Sequence, residues 1–333
     1  MDVNKNEFLL SSMIKGQVNT DEQEICRYSI TTSDILIART SETINEIAYS
    51  SCLLENISNC TYSGFLLKAS PKIKNIVFSP YIVLLLRSPI YRKKLMKLST
   101  ETSRALINSD NLAKLIFSIP DLKEQKKTWL LFNQLFKKIT ITEQKINILK
   151  KYKEGLINSW FNSKGNAAKL NTLVIPKASQ LLTNQIKNNF GKYVVYDASG
   201  KSYKKINFFN NPVNSIAIIK YGSGCGRTFI TFGNHSVLGT MIELIPNKAD
   251  DLEYIYAFTQ SNIFKKTCKK YTEIGTTPNL YFNDYGNCDL YYPTNKIKFI
   301  ISIKGVEAKI NRHIEMLNSL YKLKKQLLVN LFI

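Results

Sequence analysis

Histidine occurs only twice in this 333-residue sequence, and its six cysteines form no Cys-x-x-Cys pair. Structural zinc sites need thiolates and imidazoles at close spacing, so none is expected. Cys26, Cys52, Cys60, Cys225, Cys268 and Cys288 are scattered and follow no secretory leader, which predicts reduced thiols in the cytoplasm. Long apolar runs are missing as well. The most apolar, Ile76 to Leu86, is too short to span a bilayer and carries Pro80, so no membrane segment is expected. Pro80 instead reads as the first turn of a buried helix. Acidic residues are scarce: 25 Asp and Glu stand against 46 Lys and Arg, for a formal net charge of +21. That surplus favours a polyanionic partner, nucleic acid ahead of an acidic membrane surface, with Lys-, Asn- and Ile-rich drift as the plainer alternative. The 44% hydrophobic content excludes a disordered chain, and the length gives room for two domains.

What is present is written twice. Tyr81 to Lys97 matches Tyr254 to Lys270 at an offset of 173, with Tyr81, Ile82, Ser88, Ile90, Lys93 and Lys97 repeated. Phe136 to Phe161 matches Glu307 to Phe332 at an offset of 171, repeating Lys138, Ile139, Asn147, Leu149, Lys153, Leu156 and Phe161. Two blocks in one order at nearly one offset indicate tandem duplication of a globular unit followed by a long helix.

Each long helix carries heptads. Seam positions in the first include Ile139, Thr142, Ile146, Leu149, Lys153 and Leu156, and in the second Ile310, His313, Leu317, Leu320, Lys324 and Leu327. This is a narrow coiled-coil seam, interrupted in both copies by a polar residue and a lysine. Antiparallel pairing would set Thr142 against Lys324, Lys153 against His313, and Ile139 against Leu327.

The stretch IPDLKEQK, Ile119 to Lys126, has the letters of a metal nuclease. Nuclease carboxylates must converge from separate strands on one cation, whereas Asp121 and Glu124 lie three residues apart at a helix start. They predict a capping box, with Pro120 ending a preceding strand. Gly222 to Thr228, GSGCGRT, lacks Walker-loop spacing and runs into a strand, so it predicts a glycine hairpin that approaches a backbone closely or simply exposes Arg227. His235, in GNHS, lacks a nucleophilic partner and reads as structural. The loop GTTPNLYFNDYG beside Lys265, Lys266, Lys269 and Lys270 suits phosphate and base-edge contacts, or an ordinary solvated basic helix. The first unit repeats the order with strands in SDILIARTS and GFLLKAS, but about twenty residues at its front lack a counterpart.

Together IPDLKEQ, LKKYKEGLINSWF, the GTTPNL approach and the duplication resemble the specificity subunit of type I restriction–modification systems. The resemblance implies an α/β (α+β) fold with a pseudo-twofold repeat, two tandem target-recognition domains separated by two long antiparallel coiled-coil helices. The expected boundaries are 1–118 for the first domain, 119–162 for the first helix, 163–292 for the second domain and 293–333 for the second helix. It implies a non-catalytic subunit that binds a bipartite double-stranded DNA site and docks DNA methyltransferase subunits, with a restriction/translocase subunit as a further partner. S-adenosylmethionine, ATP and Mg²⁺ would sit on partner chains. Loop position and chemistry nominate Arg39, Ser103, Arg104, Lys220, Arg227, Thr276 and Thr277 for DNA contact. Two departures stand out: the second helix opens without Glu-Gln, and the first unit is short at its front. The competing expectations are a scaffold that binds the methyltransferase without reading DNA, and a divergent DNA-modifying enzyme.

Overall fold

In the computed structural model, which describes residues 2–73, 75–101, 103–186, 190–272 and 278–332, the chain divides into two compact units. One comprises Met1–Glu143 with Glu315–Ile333, the other Gln144–Ile314. Each unit therefore owns one end of each long helix.

The first unit is built on a four-stranded sheet. Its strands β1 (Phe8–Leu9), β2 (Ile35–Ala38), β3 (Ser50–Leu53) and β4 (Leu66–Ala69) lie in the order β1-β3-β2-β4. β1 runs parallel to β3, and the other pairings are antiparallel. Every residue of β2 is buried, because both faces of the sheet are covered. Ile35 and Ile37 face the core beneath helix α1 (Ser79–Arg87), while Leu36 and Ala38 pack with Val3, Leu9 and Ile30. That two-sided burial explains why ILIA shows no polar alternation. Pro80 opens α1 as expected, and Tyr81 through Leu86 are all buried. Ser88 is extended (φ −67°, ψ 150°) ahead of Pro89, so α1 stops there and α2 (Pro89–Lys97) begins. The segment ahead of Pro120 is not a strand; the helical turns of Ser109–Ala113 precede it, because Asn108 caps them through the Asn111 amide.

The second unit repeats this plan. Strands β5 (Val174–Ala178), β6 (Tyr193–Tyr196), β7 (Ser202–Ile206), β8 (Ser215–Ile219), β9 (Thr228–Thr231), β10 (His235–Val237) and β11 (Met241–Pro246) form two sheets. An antiparallel sheet runs β9-β8-β11-β5, and a smaller one runs β7-β6-β10. β8 is the counterpart of β2: Ile216 and Ile218 face the core beneath helix α4 (Leu252–Thr259), while Ala217 and Ile219 face the smaller sheet. Among its described residues the first unit has no counterpart of the β6–β7 hairpin. There the N-terminal residues Val3 and Leu9 cover the second face instead, so the edges of the two units differ where their centres agree. Helix α5 (Asn262–Thr272) follows α4 after the fully buried Ser261, as α2 follows α1 after the fully buried Ser88.

The long helices are α3 (Leu122–Phe161, 40 residues) and α6 (Lys296–Asn330, 35 residues), about 60 and 50 Å long at 1.5 Å per residue. They contact each other within each unit: Leu135 and Ile139 of α3 cluster with Leu320 of α6 in the first, and Trp160 of α3 stacks on Phe299 of α6, ring centroids 4.6 Å apart, in the second. The duplication is realised in the packing of their C-terminal ends. Phe161 ends α3 against Tyr254 of the second unit, ring centroids 5.3 Å apart. Phe332, its repeat, lies 5.3 Å from Tyr81 of the first. Each unit thus closes its core with the end of the helix that began in the other.

The start of α3 is capped as expected on one side only. The Asp121 carboxylate accepts from the Glu124 amide at 2.8 Å, but Glu124 turns outward to Lys127. The unforeseen residue is Gln125, fully buried. Its Oε1 accepts from the Phe78 amide at 2.8 Å, and its Nε2 donates to the carbonyls of Ile76 and Pro120, each at 2.8 Å. Gln125 ties the lead-in of α1 to the start of α3.

Candidate nucleic-acid interface

Arg39 and Lys220 occupy the same place in the two units. Arg39 follows β2, and its carbonyl accepts from the Ile107 amide at 2.9 Å. Lys220 follows β8 in the same way, its carbonyl accepting from the Leu280 amide at 2.9 Å. Leu280 lies 173 residues beyond Ile107, which is the offset of the helical repeat. The next rung agrees: Thr40 pairs with Leu106, and Tyr221 with Asn279. A main-chain ladder after the central strand therefore sets a cation at an equivalent point of each unit.

Around Arg39 the first unit builds a three-stranded sheet from Thr40–Ser41, Ala105–Leu106 and Thr100–Glu101. Ser103 and Arg104 lie exposed in the turn between its last two strands. Arg39 and Arg104 have no acceptor among the described residues. In the second unit the half-buried Lys220 lies over the Tyr221 ring at 4.9 Å. Thr276 and Thr277 lie outside the described residues.

The glycine stretch between β8 and β9 is a hairpin loop. Gly222 and Gly226 take left-handed conformations, φ 84° and 82°, which a β-carbon would strain. At Gly226 that carbon would also come within 3.1 Å of the Cys268 side chain, so the loop packs directly on α5. Between loop and helix lies a cleft of about 410 Å³, whose lining includes Arg227, Thr228, Gln260 and Lys265. Gln260 Nε2 donates to Thr228 Oγ1 at 2.7 Å, and Thr228 and Thr259 hydroxyls share a bond of 2.8 Å. Arg227 and Lys265 are exposed and without an acceptor among the described residues. Two cysteines line the cleft as well, but burial pushes the Cys268 thiol up to about 12 and raises that of Cys225. Neither thiol is set up as a nucleophile. The cleft presents hydrogen-bond donors and positive charge, suited to holding an anion.

His235 is fully buried and structural. Its Nε2 lies 2.6 Å from Glu243 Oε1, which also accepts from Ser215 Oγ at 2.6 Å and Asn211 Nδ2 at 2.8 Å. Burial alone would raise the Glu243 carboxyl, but the bonds from His235, Ser215 and Asn211 outweigh it and hold the group below its ordinary value. The network joins β8, β10 and β11 and touches no solvent. Among the described residues no three His, Cys, Asp or Glu side chains form a metal cluster, and no helix is long and apolar enough to cross a membrane.

The helix-seam residues are buried or half-buried throughout. In the first unit Leu135, Ile139 and Leu320 form one apolar cluster with Leu317 and Leu327 beside them. Ile146 and Ile310 are buried, and Leu149, Leu156 and His313 half-buried. The polar positions pair otherwise than expected. Thr142 donates to the Lys138 carbonyl of its own helix at 2.7 Å, and Lys324 meets Glu7 while lying over the Phe136 ring at 4.6 Å. Lys153 meets Glu307 at 3.0 Å rather than His313. Glu143 accepts from the Tyr321 hydroxyl of α6 at 2.6 Å. A half-buried ammonium is far better served by a carboxylate than by a hydroxyl or imidazole, and both lysines found one.

The sequence of residues 3–151 matches the type I restriction modification DNA specificity domain. Nothing among curated proteins matches the chain significantly. Among solved structures, the type I restriction-modification S subunit from M. genitalium aligns at 15% identity over 92% of this chain and 84% of its own, TM-score 0.58. A chain solved for complex assembly and conformational transition of the type I R-M system aligns at 11% identity over 90% of this chain and 81% of its own, TM-score 0.62. At such identities these are likenesses of fold. The chain therefore shares the fold of type I restriction–modification S subunits, and its residues 3–151 match the model of the type I DNA specificity domain.

Proposed function

We propose that this chain is the DNA-recognition subunit of a type I restriction–modification complex, each unit reading one half of a bipartite duplex site. The observation that carries the reading is the shared ladder that sets Arg39 and Lys220 at the end of the central strand in both units. Cations on a rigid main-chain frame, Arg39 exposed and Lys220 half-buried, suit phosphate and base-edge contacts, and the charge of +21 supplies the long-range attraction. The chain itself is non-catalytic on this reading. S-adenosylmethionine, ATP and Mg²⁺ are held by partner chains, methyltransferase subunits dock on the paired helices, and the complex works in the cytoplasm.

The test is to co-express the chain with a type I DNA methyltransferase subunit and map methylated positions in the DNA. A split motif with a fixed spacer is expected, and Arg39→Ala and Lys220→Ala should each degrade a different half. Turnover of DNA by the purified chain alone would point to an enzyme instead. A second reading, a scaffold that binds the methyltransferase without full DNA reading, draws on the absence of a β6–β7 counterpart among the described residues of the first unit. Retained partner binding with no sequence-selective DNA binding would establish it.

A further inference from the structure

The repeat allows the cleft of the second unit to be compared, position by position, with the same place in the first. Ile218 of β8 pairs with Thr228, and Ile37 of β2 pairs with Ser50, so Thr228 corresponds to Ser50 and Arg227 to Tyr49. At the helical offset of 173, Gln260 corresponds to Arg87 and Lys265 to Arg92. In the first unit this place is filled. The Tyr49 ring lies against both guanidiniums, 4.7 Å from Arg87 and 4.6 Å from Arg92. Arg87 donates to the carbonyls of Ser50, Val3 and Asn6 at 2.7, 2.6 and 3.2 Å, and pairs with Glu7. Arg92 donates to the Asn45 carbonyl at 3.0 Å. Arg87 is spent on packing the N-terminal segment, and Arg92 on the loop ahead of β3.

The second unit keeps the place open. No aromatic ring replaces Tyr49, and the cleft of about 410 Å³ is lined by donors, with Arg227 and Lys265 exposed and unpaired among the described residues. Arg227 is steered by its loop: a β-carbon at Gly224 would run into its guanidinium. Among the described residues no Asp or Glu lines the cleft. Two cations facing one space, with no carboxylate lining it among the described residues, match the anionic oxygens of a phosphodiester.

We infer that the cleft between the Gly222–Arg227 loop and α5 is a phosphate clamp for the nucleic-acid backbone, present in the second unit and converted to packing in the first. The inference rests on the DNA-binding reading above and adds that backbone grip is one-sided. The full chain is titrated with a short duplex lacking the recognition sequence, across a range of salt, and compared with Arg227→Gln, Lys265→Gln and the double variant. Each lost phosphate contact lowers the slope of log K against log salt by about 0.9, so each single variant should lower it by that amount and the double by about 1.8. Both side chains are exposed, so melting temperatures should hold, and two single variants keep the test alive if the double misfolds. The base preferences mapped by methylation should stay unchanged. A slope equal to wild type in both single variants overturns the clamp, as does an altered base preference with an unaltered slope. Selective binding retained with an unchanged slope refutes the clamp alone, whereas loss of selectivity in the wild-type chain refutes the DNA-recognition reading.

Discussion

Truncating the aromatic at the end of either long helix should loosen one unit and spare the other. Phe332 is 4% exposed and packs on Tyr81 and Phe132, with ring centroids 5.3 and 6.3 Å away. Phe161 is 3% exposed and packs on Tyr254, Phe258 and Phe299 at 5.3 to 5.7 Å. Removing a buried phenylalanine ring costs about 3–5 kcal/mol, the transfer term plus the cavity left behind. At roughly 1.4 kcal/mol per tenfold, that raises the opening equilibrium of the affected core by about two to four orders of magnitude. Hydrogen exchange resolves where the loss falls, because amides of a core helix exchange through opening of their own cooperative unit. Phe332→Ala should speed exchange in the peptide spanning Tyr81–Leu86 and leave Tyr254–Phe258 near wild type; Phe161→Ala should do the reverse. Equal loosening of both peptides by either variant, or no change at Tyr81–Leu86 in Phe332→Ala, would refute the assignment of each helix end to the opposite repeat.

Three further outcomes follow from single sites. Gln125→Leu leaves the Phe78 amide and the Ile76 and Pro120 carbonyls without partners, so the denaturant midpoint of the first unit should fall by the equivalent of about 3 kcal/mol, with the slope unchanged. Asp121→Ala removes a helix cap and should cost about 1 kcal/mol by the same measurement, while adding Mg²⁺ should stabilise wild type and variant equally. Glu243, held below its ordinary value when folded, contributes stability that is complete above the unfolded carboxylate range and is lost as pH falls through that range towards its lowered folded value. Melting of the second unit should therefore decline on acidification more steeply in wild type than in Glu243→Gln, and parallel declines would remove Glu243 as the cause.

The long helices and their duplication were legible because heptad packing constrains side chains at fixed steps, and Ile139, Ile146, Ile310 and Leu320 keep those steps in both copies. Pro80 was legible for a similar reason: a fixed φ and a missing N–H suit a first turn and little else. The partners of Lys153 and Lys324 were not legible. Glu7, which takes Lys324, lies 317 residues away in sequence, and no heptad rule reaches it. Gln125 was hidden by its neighbours, because Asp121 and Glu124 explain a helix start completely and a glutamine beside them reads as solvent-facing. The cleft was invisible for a topological reason. Arg227 and Lys265 are 38 residues apart on different elements, and only the packing of Gly226 against Cys268 makes them face one space.

The two units agree most closely in parts whose geometry does not depend on side-chain identity. The ladder after the central strand is made of main-chain bonds, Ile107 to Arg39 and Leu280 to Lys220, and it holds whatever side chain stands there. Arginine in one unit and lysine in the other differ in kind: a planar fork that can address a guanine edge at two points, against a single mobile ammonium. A position that carries no packing duty can exchange one for the other at little cost to the fold, since exposed substitutions usually shift stability by less than about 0.5 kcal/mol. The cleft shows the opposite case. There Tyr49 stands where the second unit has Arg227 and Arg87 where it has Gln260, and the N-terminal segment is packed over them. Recognition can therefore drift at the strand ends while the frame persists, and a unit gives up a surface only where a new segment closes over it.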